Sequence, residues 1–211
     1  MSQAQSTLTP PPQAVTVDCG KIERALEGIR VLDLGQIYAG PYAGFLLAMA
    51  GADVIKIEPP QGDETRTWGP PFENGVASYF MGLNRNKRGI CLDLKQAEGR
   101  EALLTLCETA DVLVEGFRPG VMARLGLDAD TVRARHPRLV YCSISGYGQT
   151  GALSQQAGHD INYCGFTGVA DQLGTPQGQL ALSNLPLADL MGGTLVPAMG
   201  ILAGIVGAVV V

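Results

Sequence analysis

An open, doubly wound α/β sheet is the fold this chain predicts, and three observations predict it. A compact β-α-β pattern lies between residues 29 and 57. Strand-like and helix-like runs then keep alternating as far as residue 145. Finally, 211 residues with 46% hydrophobic content are enough for one sizeable core.

The elements follow in order. Ile29-Arg30-Val31-Leu32-Asp33-Leu34 is a short apolar run that ends at Gly35, and Gly40-Pro41 opens an apolar helical stretch that reaches Met49 before Gly51 stops it. Asp53-Val54-Ile55-Lys56-Ile57 reads as a second strand, joined to the first in parallel by a right-handed crossover. Residues 59–78 are rich in Pro and Gly and hold the single tryptophan, Trp68, which predicts a long excursion from the sheet of the kind that covers sites. Further strands are expected at 90–94, 111–116 and 138–145, and helices at 98–110, 120–125 and 128–136. Residues 190–211 carry no charge, which satisfies the length of a membrane span. Pro197, glycines at 192, 193, 200, 204 and 207, and the lack of basic or aromatic anchors favour a buried core helix instead.

Composition excludes several classes. Net charge is −5 and the densest basic run is Asn84-Arg85-Asn86-Lys87-Arg88, so no nucleic-acid surface is indicated. Five cysteines, at 19, 91, 107, 142 and 164, show no CxxC or Cys/His ligand spacing. They read as reduced cytoplasmic thiols, with no metal site. Residues 1–25 begin without a basic or apolar signal region and contain Pro10-Pro11-Pro12, which predicts a disordered leader; residues 26–211 form the domain.

Ligands of such sheets lie beyond the carboxyl ends of the strands, so residues 35–41, 58–86, 116–120 and 146–160 are the loops to watch. Gly35-Gln36-Ile37-Tyr38-Ala39-Gly40 lacks the GxGxxG spacing of a dinucleotide site, which leaves a Rossmann-like architecture without a nicotinamide signature. Arg85, Lys87 and Arg88 suit the phosphates of a nucleotide-like ligand, or form a solvated turn. Phe117 and Arg124 offer an aromatic face and a guanidinium that could hold adenine and phosphate, or are a core Phe and a surface Arg. Gly146-Tyr147-Gly148-Gln149-Thr150-Gly151 is a flexible loop after a strand. His159 and Asp160 are a candidate proton-transfer pair, although neighbours on an extended chain face opposite ways, or His159 is a satisfied core histidine. Asp189, in Leu185-Pro186-Leu187-Ala188-Asp189 ahead of the uncharged segment, is a poorly solvated carboxylate that needs a partner, a shifted pKa or a reaction to perform.

These pieces form a collinear series. Gly28-Ile29-Arg30-Val31-Leu32-Asp33-Leu34, Ala39-Gly40-Pro41, Gly51-Ala52-Asp53-Val54-Ile55-Lys56-Ile57-Glu58-Pro59-Pro60, Asn84-Arg85-Asn86-Lys87-Arg88, Leu92-Asp93-Leu94-Lys95, Asp111-Val112-Leu113-Val114-Glu115-Gly116-Phe117-Arg118-Pro119-Gly120 and Ser145-Gly146-Tyr147-Gly148-Gln149-Thr150-Gly151 closely resemble the class III CoA-transferase family. That family includes formyl-CoA and carnitine CoA-transferases, bile-acid-inducible transferases and α-methylacyl-CoA racemase, and the match runs from about residue 26 to about 203.

The resemblance implies a CoA thioester enzyme whose other substrate is a carboxylic acid acceptor, with coenzyme A entering as a substrate and no metal. Asp189 matches the family's catalytic aspartate, which in transferases attacks the acyl-CoA carbonyl and then carries CoA as a thioester. In the racemase branch the same aspartate and a histidine matching His159 exchange the α-proton. Tyr38, Phe117 and Arg124 match positions lining the CoA site, and Arg85, Lys87 and Arg88 are the phosphate candidates beside them. Pro59 replaces an Arg common after the acidic residue of the second strand. Trp68-Gly69-Pro70-Pro71-Phe72 and Tyr79-Phe80 look like the transferases, whereas Gly158-His159-Asp160-Ile161-Asn162-Tyr163 looks like the racemase. Family members run to roughly twice this length, add a smaller domain and form interlocked homodimers. The expectation is therefore a large domain truncated at its carboxyl end, whose alternative role is an inactive fragment that at most binds CoA.

Overall fold

The computed structural model describes residues 25–175, 177–179 and 181–210; all but the last position of the expected leader lies outside the described residues. In chain order the elements are β1 (Arg30–Asp33), α1 (Ala39–Met49), β2 (Asp53–Glu58), a 3₁₀ turn (Glu64–Thr67), β3 (Phe72–Glu73), β4 (Val76–Ala77), α2 (Ser78–Leu83), β5 (Arg88–Cys91), α3 (Ala97–Cys107) and β6 (Val112–Glu115). Then come α4 (Val121–Arg124), α5 (Ala129–Arg135), β7 (Val140–Ser143), α6 (Asp160–Phe166), α7 (Val169–Gln172), a π-helical segment (Ala188–Leu195) and α8 (Val196–Val210).

Five strands form one parallel sheet in the order β5-β2-β1-β6-β7, and β3-β4 is a separate antiparallel hairpin. The chain builds outward from β1 to β2 and β5, then returns across β1 to lay down β6 and β7. The order thus reverses between β1 and β6, which is where a doubly wound sheet opens a crevice at its carboxyl edge.

Side-chain alternation sorts the core into two layers. Leu32, Ile55 and Leu113 face α3, α4 and α5 through Leu103, Leu104, Met122 and Val132. Their neighbours Val31, Val54 and Val112 face α1 and α8 through Leu47, Ala48 and Ile201. Because β1, β2 and β6 are covered on both sides, each carries consecutive apolar residues, Val31-Leu32, Val54-Ile55 and Val112-Leu113-Val114, rather than an alternating pattern.

The third sheet strand occupies Arg88–Cys91 rather than residues 90–94. Its register is set by β2, with Ile55 opposite Arg88 and Glu58 opposite Cys91, and β2 ends there. All four of its residues are exposed, as befits an edge. The excursion after β2 is more ordered than its composition suggests: Asp63 accepts the Thr65 N–H to start the 3₁₀ turn, and β3-β4 closes a hairpin ahead of α2.

The apolar carboxyl-terminal segment is a helix but not the buried core helix expected. Its Ala198 and Ile201 are 8% and 1% exposed, whereas Val196, Met199 and Val206 are 62%, 69% and 63% exposed. Only one side meets the sheet, so only one stripe is buried. Residues Ala188–Ala208 are long and apolar enough to cross a membrane, with mean hydropathy 1.8, but the helix packs on β7 and α1, with Ile201 buried in the cluster of Val31, Val54 and Val112.

Candidate active site

The carboxyl end of β1 is Asp33, fully buried, followed by a tight loop that leads into α1. One oxygen of Asp33 accepts the Gly35 N–H at 2.9 Å and the other accepts Lys87 Nζ at 2.8 Å. Lys87 also donates to the Pro41 carbonyl at 2.7 Å and to Asn84 Oδ1 at 2.8 Å, so its three protons are all engaged. Burial pulls the Lys87 ammonium below its ordinary value, against the opposing effect of Asp33. On the other flank Lys56 is buried too, donating to the Gly35 carbonyl and to Asp63 at 2.9 Å.

Next to this pair Arg66 grips Glu58 with two hydrogen bonds of 2.7 and 2.6 Å and lies over the Phe80 ring at 3.9 Å. Burial alone would raise the Glu58 and Asp63 carboxyls, yet both sit below their ordinary values. Arg66 and the Asp63 N–H outweigh burial at Glu58; Lys56 and Thr65 do so at Asp63. A carboxyl depressed in the folded state stabilises fully above its unfolded pKa, near 4, and that contribution is lost as pH falls through the folded value. Thermal unfolding followed from pH 6 to pH 2 is therefore expected to show a steep acid loss that a Glu58→Gln variant flattens.

Asp189 is the second residue of the π-helical segment and is half-buried. The segment is held to α1 by Thr194, whose hydroxyl lies 3.3 Å from the Ala39 carbonyl and 2.9 Å from that of Asp189 itself. Asp160, the first residue of α6, accepts the Asp189 backbone N–H at 3.0 Å. The Asp189 carboxyl is pushed up, first by burial and then by the charge of Asp160, with His159 pulling the other way. Asp189 in turn helps to raise the phenols of Tyr38, Tyr79 and Tyr163, whose main cause is burial; Tyr79 reaches about 12. Asp189, His159 and Tyr38 are thus brought into one cluster. Tyr79 and Asp160 join it; the sequence offered Asp160 only as the partner of His159 in a proton-transfer pair and did not single out Tyr79 as a site residue.

Tyr38 begins an aromatic track. Its ring centroid lies 6.3 Å from that of Tyr79, which lies 5.8 Å from that of Trp68. The excursion after β2 therefore does reach over the cluster, through Trp68.

The CoA candidates are not brought together as one patch. Phe117 follows β6, its N–H bonded to the Glu115 carboxylate at 2.8 Å, and Arg124 ends α4 nearby with an exposed side chain. Arg85 is exposed, its guanidinium 5.2 Å from the Phe45 ring centroid. The expected phosphate role of Lys87 does not fit, because its ammonium is turned inward and saturated. That of Arg88 does not fit either. It opens β5 at the amino edge of the sheet, bonded to Asp53 at 2.9 and 2.7 Å, at the end opposite the crevice. Three nearby basic residues in a turn entering a strand point in different directions, so sequence proximity does not make one charged surface.

Two clefts flank the crevice. One of about 350 Å³ is lined by Glu58, Pro59, Arg66 and Cys91. The other, of about 260 Å³, is lined by Glu115, Arg118, Met122, Tyr141 and Gln149. Glu115 is 4% exposed and its carboxyl is pushed up by burial, against hydrogen bonds from Ser143 and the Phe117 N–H.

A parallel sheet whose strand order reverses beside a half-buried carboxylate cluster is a doubly wound α/β domain. The chain belongs to CoA-transferase family III, whose model it matches over residues 26–209. It is 45% identical over 175 residues to the succinate–glutarate CoA-transferase of Agrobacterium fabrum, covering 80% of this chain and 44% of that protein. To the human α-methylacyl-CoA racemase it is 39% identical over 179 residues, covering 84% and 43%. Among solved structures, a CAIB/BAIF family protein from Brucella suis superposes with a TM-score of 0.84 at 40% identity, covering 89% of this chain and 50% of that one. The chain spans less than half the length of these two enzymes.

Proposed function

We propose that the protein moves CoA between an acyl-CoA thioester and a carboxylic acid through Asp189. The supporting observation is the Asp189 cluster itself: a carboxylate made more basic by burial and by Asp160, set beside phenols that stay protonated at neutral pH. The Asp189 carboxylate attacks the thioester carbonyl and the CoA thiolate leaves, which yields a mixed anhydride. The thiolate then attacks the aspartyl carbonyl, releasing the first acid and leaving aspartyl-CoA. An acceptor carboxylate runs the same two steps in reverse. Tyr38 and Tyr79, held neutral, are suited to donate to the oxyanion formed at each attack. Phe117 and Arg124 are the proposed adenine and phosphate contacts, with Arg85 as an outlying cation, and the full-length enzyme is proposed to act as a homodimer.

CoA binding tests the nucleotide contacts separately from the chemistry. Titration calorimetry is expected to show binding that weakens as salt rises, because the contacts pair arginines with phosphate. An Arg124→Ala substitution should weaken it about tenfold, the worth of one charge-assisted contact. No heat of binding at low salt from folded protein would reject this assignment.

A second reading has its own observation. His159 is close enough to Asp189 to favour its ionised form, an arrangement that also suits α-proton exchange between two bases. Deuterium entering the α-carbon of a 2-methylacyl-CoA, without a covalent CoA adduct, would select the racemase.

A further inference from the structure

The loop between β1 and α1 is closed at its neck. A Cβ built on Gly35 would lie 2.7 Å from the Gly40 Cα, and one built on Gly40 would lie 2.8 Å from the Gly35 Cα, so the two glycine backbones touch. Between them Ile37 has φ 68°, a left-handed conformation that a β-branched residue adopts only when its surroundings impose it. Tyr38 follows immediately. Each side of this neck receives a buried ammonium: Lys56 donates to the Gly35 carbonyl and Lys87 to the Pro41 carbonyl. Each ammonium also carries its own buried counter-ion, Asp63 for Lys56 and Asp33 for Lys87, with side-chain exposures of 2% or less throughout.

Buried ion pairs of this kind are a poor source of stability, since apolar replacements of similar volume often do as well. What they supply here is direction, because each lysine spends one proton on a backbone carbonyl that an apolar side chain could not hold, Gly35 where the loop begins and Pro41 in the first turn of α1. We propose that Lys56 and Lys87 are positioning residues that clamp the two sides of the pinched loop and so hold Tyr38 against Asp189. The inference rests on the reading of Asp189 as the reacting carboxylate, but the clamp itself is measurable without any reaction.

The test uses two charge-neutral double variants, Asp33→Asn/Lys87→Met and Lys56→Met/Asp63→Asn. Each removes one clamp without stranding a buried charge, and asparagine can still accept the N–H bonds that Asp33 and Asp63 accept now. Hydrogen exchange is read by mass spectrometry on the 211-residue protein. Exchange of the Gly35 amide, which Asp33 holds, is expected to rise at least about tenfold in either variant, while amides of β1 and β6 stay within about twofold, as a local opening requires. In a full-length family counterpart carrying the same residues, CoA loading on the aspartate should slow by a similar factor, with CoA affinity within about twofold.

Unchanged loop exchange, or a rise shared equally by the whole sheet, would overturn the proposal. Should both variants fail to fold, the unmodified protein decides: the Gly35 amide, bonded to buried Asp33, must exchange as slowly as that of Leu32, and fast exchange there refutes the clamp. If the counterpart with its lysines intact never loads CoA, the transferase reading falls, and the clamp is judged on loop exchange alone.

Discussion

Replacing Asp189 by Asn is expected to lower covalent CoA loading by at least about a thousandfold while leaving CoA affinity within about twofold, because the amide keeps the shape of the group but cannot act as the nucleophile. The measurement is intact-protein mass spectrometry after incubation with short acyl-CoAs, made on a full-length counterpart alongside calorimetry. The pH profile adds a second signature. The attacking form is the ionised one, and the Asp189 carboxyl is raised by burial and by Asp160. Loading should therefore increase with pH through a midpoint above the ordinary aspartate value, and Asp160→Asn should move that midpoint down. An adduct that survives in the Asp189→Asn variant would assign the chemistry to another group.

The second large effect is structural. Lys87→Met alone should destabilise the fold by about 3–5 kcal/mol, because it leaves the Asp33 carboxylate fully buried without its counter-ion. Adding Asp33→Asn to the same variant should recover most of the loss, since the stranded charge is then gone. Urea unfolding of the three proteins measures the pattern: a large single-variant shift followed by rescue. Equal stability of Lys87→Met and the unmodified chain would mean that the pair is hydrated in solution.

Rescue of that kind could not have been anticipated from the sequence, and the reason shows where sequence reasoning stops. The parallel sheet was legible because β1, β2 and β6 are covered on both faces and so carry consecutive apolar residues at their centres. Asp189 drew notice as a candidate because a charge at the head of an uncharged segment has few bland explanations, and its half-burial beside Asp160 fits that expectation of a poorly solvated carboxylate. Family membership was legible from a collinear series of motifs, and the match over residues 26–209 confirms it. The inward turn of Lys87 was not legible, since Asn84-Arg85-Asn86-Lys87-Arg88 looks the same whether its cations meet solvent, phosphate or a carboxylate 54 positions earlier. Nor was Arg88 at the far edge of the sheet, because its location depends on register with β2. The partners of Glu115 and Asp160 escaped for the same reason: Ser143, which bonds the one, and the Asp189 N–H, which bonds the other, are close only after folding. The carboxyl-terminal helix failed differently. Its apolar content suggested burial on all sides, but a single sheet face can cover only one stripe of it.

The wide turns that carry Asp189 into that helix impose a phase on it. A π-helical stretch holds one more residue than the same span of α-helix. The angle between the Asp189 side chain and the Ala198 and Ile201 stripe is therefore set by the residue count of Ala188–Leu195 as much as by its composition. Removing a single residue such as Gly192 and letting the span relax to α-helix would restore regular geometry. Relaxing to α-helix with every residue kept would instead leave that extra residue over and, at about 100° per residue, would rotate the carboxylate about a quarter of a turn away from Tyr38 while the stripe stayed seated on the sheet. In this part of the chain, the length of the segment specifies the aim of the Asp189 carboxylate.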